Sequence, residues 1–210
     1  MTLSKKIETE AGLLGIWDLE ESLEQLFDNF RFSETEKKEF GCISSERRKK
    51  EYIAVRLLLE NLLNFKPEIV YEKTGKPLIK NSSLNISVSH SADLAVVLVS
   101  GKNVGIDVEN TERNIDKIAS RFLNENEINT ISAFQHPQQA KILFWSAKEA
   151  IFKCACFEGI QFNRQINIQP FVLEKDGKFS GELKTETGCI KFELWYFFHK
   201  NNVVVFCVEE

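Results

Sequence analysis

Val104-Gly105-Ile106-Asp107-Val108-Glu109 is the stretch on which the reading of this chain turns. It reads as a strand that follows a Gly101-Lys102-Asn103 turn at the midpoint of the chain. Side chains alternate across a strand, so Asp107 and Glu109 project from one face while Ile106 and Val108 turn to the other. Two carboxylates held that close raise each other's pKa unless a cation or water separates them, and a hard divalent ion with oxygen ligands resolves the conflict. The competing reading is an exposed strand edge with two solvated acids. The pair alone does not decide between them.

Upstream, residues 84–89 alternate as a half-buried strand. After His90-Ser91-Ala92-Asp93 a more apolar strand runs from Leu94 to Ser100, which makes a hairpin. Before that, Ile69 to Ile79 reads as two short strands around a glycine turn, with Lys76 at its exit. Ser44 to Asn64 is predicted helical: a serine caps it, and Tyr52, Val55, Leu59, Leu62 and Leu63 recur at helical spacing. Ser33 with Glu36 gives the capping-box pattern of a shorter helix.

Downstream, Ile115, Ile118, Ala119 and Phe122 are spaced for one helix face, and Gln138 to Cys154 is a longer helix without Gly or Pro. On it, Trp145, Glu149 and Lys153 follow one another at i, i+4 steps, with Lys148 beside them. The bland reading is a core tryptophan and a surface ion pair between Glu149 and Lys153, worth a few tenths of a kcal/mol. The alternative is phosphoryl-transfer work: Glu149 binding an ion or accepting a proton, Lys153 neutralising a phosphate oxygen. The remainder reads as strands: Phe171 to Leu183 around Asp176-Gly177, then Ile190 to Phe198 and Asn202 to Val208 around Lys200-Asn201. Helices and antiparallel strands in no strict alternation place the chain in the α+β class.

A chain of 210 residues, 43% of them hydrophobic, can bury a proper core. The net charge of -4 argues against a general nucleic-acid binder. The local basic run Arg47 to Lys50 reads as a solvated helix start or as a phosphate holder. Five cysteines without regular spacing, after a charged Met1 to Glu10 that lacks the apolar run of a signal peptide, suit a reducing cytoplasm. Cys154 and Cys156 read as buried small residues. No apolar run approaches the roughly 20 residues that span a bilayer, so no membrane role is expected. His90, flanked by Ser89 and Ser91, offers an imidazole and two hydroxyls to a phosphate. The sequence holds no G-x-S-x-G elbow, His-x-x-x-His, Cys-x-x-Cys or glycine-rich phosphate loop.

Taken together, Val104 to Glu109 and, about 40 residues on, Phe144-Trp145-Ser146-Ala147-Lys148-Glu149-Ala150-Ile151-Phe152-Lys153 resemble the two signature motifs of the 4′-phosphopantetheinyl transferases. Arg47 and Arg56, Gly75-Lys76-Pro77, Ser89-His90-Ser91, and Arg121-Phe122 with Glu127 are similar to the larger, Sfp-like (surfactin-synthetase-activating) branch. That branch often has Asn where Ser87 stands here; the asparagine of this chain is Asn85. The resemblance spans roughly Arg47 to Lys153.

It implies a pseudo-symmetric monomer of two similar α+β halves, residues 1–102 binding phosphates of coenzyme A and residues 103–210 carrying the metal and catalytic motifs. It further implies that Asp107, Glu109 and Glu149 hold magnesium or manganese, and that Arg47, Lys76, Ser89, His90 and Lys153 contact coenzyme A. Glu149 and Lys153 are then the catalytic pair, moving phosphopantetheine to a serine of an apo acyl, peptidyl or polyketide carrier protein with release of 3′,5′-adenosine diphosphate, the serine proton going to Glu149 or to a metal-bound water. An acidic carrier helix would meet Arg47 to Lys50 by charge complementarity. Two other readings compete: a catalytically silent module that binds coenzyme A or a carrier, and a metal-dependent phosphohydrolase.

Overall fold

The computed structural model describes residues 5–210; of the charged N-terminal stretch, Met1 to Ser4 lie outside the described residues. A hairpin of β1 (Lys5–Thr9) and β2 (Gly12–Asp18) leads into three helices, α1 (Leu23–Asn29), α2 (Glu34–Gly41) and α3 (Glu46–Leu63). Four strands follow: β3 (Ile69–Tyr71), β4 (Pro77–Ile79), β5 (Asn85–His90) and β6 (Leu94–Ser100). After β7 (Val104–Asn110) come a 3-10 turn (Asp116–Ile118), α4 (Ala119–Phe122), α5 (Glu125–Ser132), α6 (Pro137–Ala155) and α7 (Phe162–Gln165). The chain ends in β8 (Ile166–Ile168), β9 (Asp176–Thr185), β10 (Gly188–His199) and β11 (Asn202–Glu209).

The strands form two antiparallel sheets, ordered β1-β2-β6-β5-β4-β3 and β7-β11-β10-β9-β8. They share an apolar seam: Leu14 and Ile16 of β2 and Leu94, Val96 and Leu98 of β6 meet Ile106 and Val108 of β7 and Val204 and Phe206 of β11. The alternate residues of β6, Ala95, Val97 and Val99, face the opposite way, onto Ile53, Leu57 and Leu58 of α3. Burial on both faces is why Leu94 to Val99 is apolar without a break. In the second sheet Val203, Val205 and Cys207 pack on Ala147, Ala150 and Ile151 of α6. The protein is thus an α+β stack of four layers: α3, sheet, sheet, α6.

Capping fixes where the helices begin. Ser45 caps α3 by accepting the Arg48 amide, and Ser33 with Glu36 closes a full capping box on α2, as their sequence patterns predict. Two expectations are corrected. Ile115 to Phe122 is not one helix but a 3-10 turn and a single turn of α4, because Leu123 is extended and Asn124 starts α5 with a capping box of its own, closed by Glu127. Asp176-Gly177 does not turn the chain: it opens β9, where Gly177 pairs with Tyr196, and residues 171–175 precede the strand as a loop. A side chain at Gly177 would meet the Tyr196 ring at 2.9 Å, so close packing, not turn geometry, demands glycine there. Lys200 has φ 51, the left-handed geometry of the tight turn expected between β10 and β11. Among the described residues no helix is long and apolar enough to cross a membrane.

Candidate active site

The site forms where α6 crosses β7. The contact is close because Gly105 has no side chain: a Cβ there would lie 1.9 Å from the Ala150 carbonyl oxygen of α6. With Ile106 and Val108 committed to the seam between the sheets, Asp107 and Glu109 turn toward α6, and Asp107 is only 5% exposed.

Strand β7 is the last in its sheet, so its outward amides need partners from elsewhere. Strand β5 supplies them through side chains. The Ile106 amide donates to Ser87 Oγ at 3.0 Å and the Val108 amide to Ser89 Oγ at 3.3 Å. Ser89 in turn donates to Asp107 Oδ1 at 2.9 Å. Asp107 Oδ2 accepts from Ser146 of α6 at 2.7 Å.

Lys153 completes the cluster, donating to Asp107 Oδ1 at 2.8 Å, to Ser89 Oγ at 2.9 Å and to the Ile106 carbonyl at 3.1 Å. The surface ion pair with Glu149 that helical spacing allowed is therefore not the one that forms. Nor is Trp145 plain core: its ring meets Phe122 edge-on and Phe162 at a tilt, and its Nε1 donates to Glu109 Oε1 at 2.9 Å. Arg113, in the loop after β7, pairs with the same oxygen of Glu109. Glu149 lies between Trp145 and Lys153 on this helix face. Burial, then the neighbouring Asp107 charge, opposed by Lys153 and reinforced by Glu109, push its carboxyl up to about 7. Among the described residues no three His, Cys, Asp or Glu side chains are gathered as a ready-made metal cage.

The other predicted site residues fall around this centre. Arg47 Nε lies 2.8 Å and His90 Nδ1 3.4 Å from the same Glu51 oxygen, so one buried carboxylate gathers both. Burial lowers the His90 pKa; Glu51 opposes this, and Lys153, Arg47 and Arg48 add to it. Lys76 donates to Asn103 at 2.9 Å and, with Lys153, lines a cavity of about 220 Å³ between β5 and the end of α6. A second cavity, about 480 Å³, adjoins it at Gly75 and Pro77 and reaches His90. A third, about 690 Å³, holds Glu149, Trp145 and Phe122 and meets the first at Phe152, which lines both. Phosphate-sized anions entering from the Lys76 side would face two ammonium groups, with the Glu149 carboxyl across Phe152.

Three residues carry meaning that the sequence did not show. Ser146 and Arg113 act through partners 39 positions and 4 positions away, Asp107 and Glu109 respectively, on elements whose contact no periodicity reveals. Lys148, next to Glu149, points away from the site and is fully buried. Its ammonium donates to Glu127 Oε2 at 2.7 Å and to the carbonyls of Phe122, Phe162 and Ile166. Burial lowers its pKa and Glu127 opposes the shift. It ties α6 to α4, α5, α7 and β8. Arg56 is likewise buried, its guanidinium 3.3 Å from the Tyr52 ring centre and paired with Glu39. Cys154 is buried as expected, but Cys156 is not: it ends α6 with φ 57, half exposed beside Thr74.

A model of the 4′-phosphopantetheinyl transferase superfamily matches residues 103–208. Over 48% of its length the chain is 31% identical to the 4′-phosphopantetheinyl transferase gsp of Aneurinibacillus migulanus, covering 44% of that protein. It is 34% identical to the 4′-phosphopantetheinyl transferase AcpT of Escherichia coli O157:H7 over 50% of this chain and 57% of that one. With the 4′-phosphopantetheinyl transferase Sfp of Bacillus subtilis it shares 28% identity over 53% of this chain and 50% of the relative. The chain thus spans about half the length of the curated relatives it matches.

Proposed function

This chain belongs to the 4′-phosphopantetheinyl transferase superfamily, and from that premise we propose that it moves the phosphopantetheine arm of coenzyme A onto a serine of an apo acyl, peptidyl or polyketide carrier protein. The observation that carries the proposal is the convergence of Glu149 and Lys153 of α6 on the Asp107 carboxylate of β7, the helix and the strand of the two motifs.

Asp107, Glu109 and Glu149 are the proposed magnesium ligands, with manganese as a substitute. Their chemistry fits: all three donors are hard carboxylate oxygens, and the upward push that Asp107 and Glu109 exert on Glu149 is the repulsion a divalent cation relieves. When bound there, such an ion supplies positive charge against the pyrophosphate oxygens of coenzyme A. The protein's own residues do the rest. In this proposal Arg47, Lys76, His90 and Lys153 bind the phosphates, and Ser89 does so beside Lys153, whose ammonium its hydroxyl already meets. Glu149 takes the proton of the carrier serine as its oxygen bonds to the phosphorus next to the pantetheine arm. The bond from that phosphorus to the bridging oxygen breaks, and 3′,5′-adenosine diphosphate leaves. Lys153 offsets the charge that builds on the leaving oxygens.

Residues 1–102 supply most of the phosphate contacts in this scheme and residues 103–210 the metal and catalytic groups. The five cysteines are all free, which is in keeping with a reducing cytoplasm, where in this proposal the chain works as a monomer. The test is mass spectrometry of a panel of apo carrier proteins incubated with the protein, coenzyme A and magnesium. A phosphopantetheine mass gain is expected on at least one carrier, lost in Glu149→Gln and Asp107→Ala. No gain on any carrier overturns the transfer; near-normal rates in either variant overturn the residue roles.

A further inference from the structure

The three carboxylates of the site are accompanied by two cations, and the two are held differently. Lys153 is anchored by Asp107, Ser89 and the Ile106 carbonyl, and its side chain is 28% exposed. The Arg113 side chain is 46% exposed; among the described residues its one side-chain hydrogen-bond and ion-pair partner is the Glu109 carboxylate, and its charge also reaches Glu149. The backbone beneath it is fixed: the Arg113 amide donates to the Asn110 carbonyl at 3.1 Å, and its own carbonyl accepts from Gln138 at 3.0 Å. A pivot with a firm base and a free end is thus aimed at Glu109. The oxygen it meets, Oε1, also accepts from Trp145 Nε1, a neutral donor that orients the carboxylate without neutralising it. Arg113 is the charge that does the neutralising.

We propose that Arg113 is a built-in counter-ion of Glu109 that competes with a divalent cation for this carboxylate, so that it sets the cation concentration at which the site fills. The proposal rests on the reading of Asp107, Glu109 and Glu149 as metal ligands. A cation that takes up Glu109 displaces the guanidinium, which swings into solvent while Lys153 keeps its three anchors. Because guanidinium and divalent ion are both positive, they repel each other as well as contend for one oxygen. Arg113 is a positioning residue: it acts on the ion through Glu109 and touches no reacting atom.

The experiment is calorimetric titration of Mn²⁺, without coenzyme A, into chelator-stripped protein at low salt. Arg113→Gln should bind Mn²⁺ about fivefold more tightly than wild type, the upper range for a partly exposed ion pair. Arg113→Lys, which keeps the charge, should restore wild-type binding, a rescue that a merely structural role for the arginine would not give. Raising the salt should shrink the gap between wild type and Arg113→Gln. Equal or weaker Mn²⁺ binding in Arg113→Gln overturns the proposal while leaving the metal reading intact. Should wild type and variant both fail to bind Mn²⁺, or Asp107→Ala bind it as wild type does, the metal reading itself falls and takes the counter-ion with it.

Discussion

Replacing Glu149 with glutamine should make the protein more stable as it makes it inactive, and the effect should grow with pH. The ordinary value for a glutamate is 4.5, and in the folded chain this carboxyl is pushed up to about 7. Between those pH values the folded protein retains a proton that the unfolded chain has released. Stability therefore falls as pH rises through that window, and the full penalty is present above it. Its size is about 3 kcal/mol, an upper value because the side chain is only partly buried. Glutamine mimics the protonated acid and never carries the charge. In urea denaturation with a chelator present, followed by tryptophan fluorescence, the variant and wild type should have equal stability near pH 4.5. By pH 8 the variant should be ahead by about 2 to 3 kcal/mol. Adding magnesium at pH 8 should return stability to the wild type and little to the variant, by mass action on the folded form. Stability curves that stay parallel from pH 4.5 to 8 would show that Glu149 does not carry the strained charge, and the account of it as a carboxylate that a cation relieves would fail.

Gly105→Ala places a methyl group 1.9 Å from the Ala150 carbonyl, so α6 must lift off β7; a loss of about 3 kcal/mol in thermal unfolding, with a drop in transfer, is expected. Lys148→Met leaves Glu127 charged and buried, and denaturant midpoints should report a loss of about 3 to 5 kcal/mol, part of which Glu127→Gln in the same chain should recover. Ser87→Ala strips the acceptor from the Ile106 amide at the seam, at about 1 to 3 kcal/mol, and hydrogen exchange at that amide should quicken. A variant as stable as wild type in any of the three would remove the corresponding contact from the account.

Much of the site was legible because its two carriers are regular. Asp107 and Glu109 share a strand face and Trp145, Glu149 and Lys153 a helix face by periodicity alone, and only the resemblance to the two family motifs put that strand and that helix together. What periodicity cannot give is the partner across space. Lys153 and Glu149 have the spacing of an ion pair, yet Lys153 turns to Asp107, 46 positions away, because burial of that carboxylate makes it the stronger claimant. The N-terminal hairpin escaped reading since β1 is an exposed edge strand, Lys5 to Thr9, and β2 carries glycines at 12 and 15 that blur its pattern. Helix α5 went unread although Asn124 and Glu127 spell a capping box that sequence inspection can find. The pair α7 and β8 could not be read, being four and three residues long. Asp176-Gly177 misled because a turn-forming pair was doing a packing job against Tyr196.

The serines of β5 have a wider meaning than the hydrogen bonds they make. A terminal strand with bare amides invites a foreign strand to add to it, the first step of edge-to-edge aggregation. Here the outward amides of Ile106 and Val108 are occupied by Ser87 and Ser89 hydroxyls, which can satisfy a donor but cannot template another strand. The same Ser89 hydroxyl also holds Asp107 and Lys153. Ser89 thus covers one outward amide of the sheet edge and holds the Asp107 carboxylate with the same oxygen atom, so a substitution there exposes the chain to both failures at once.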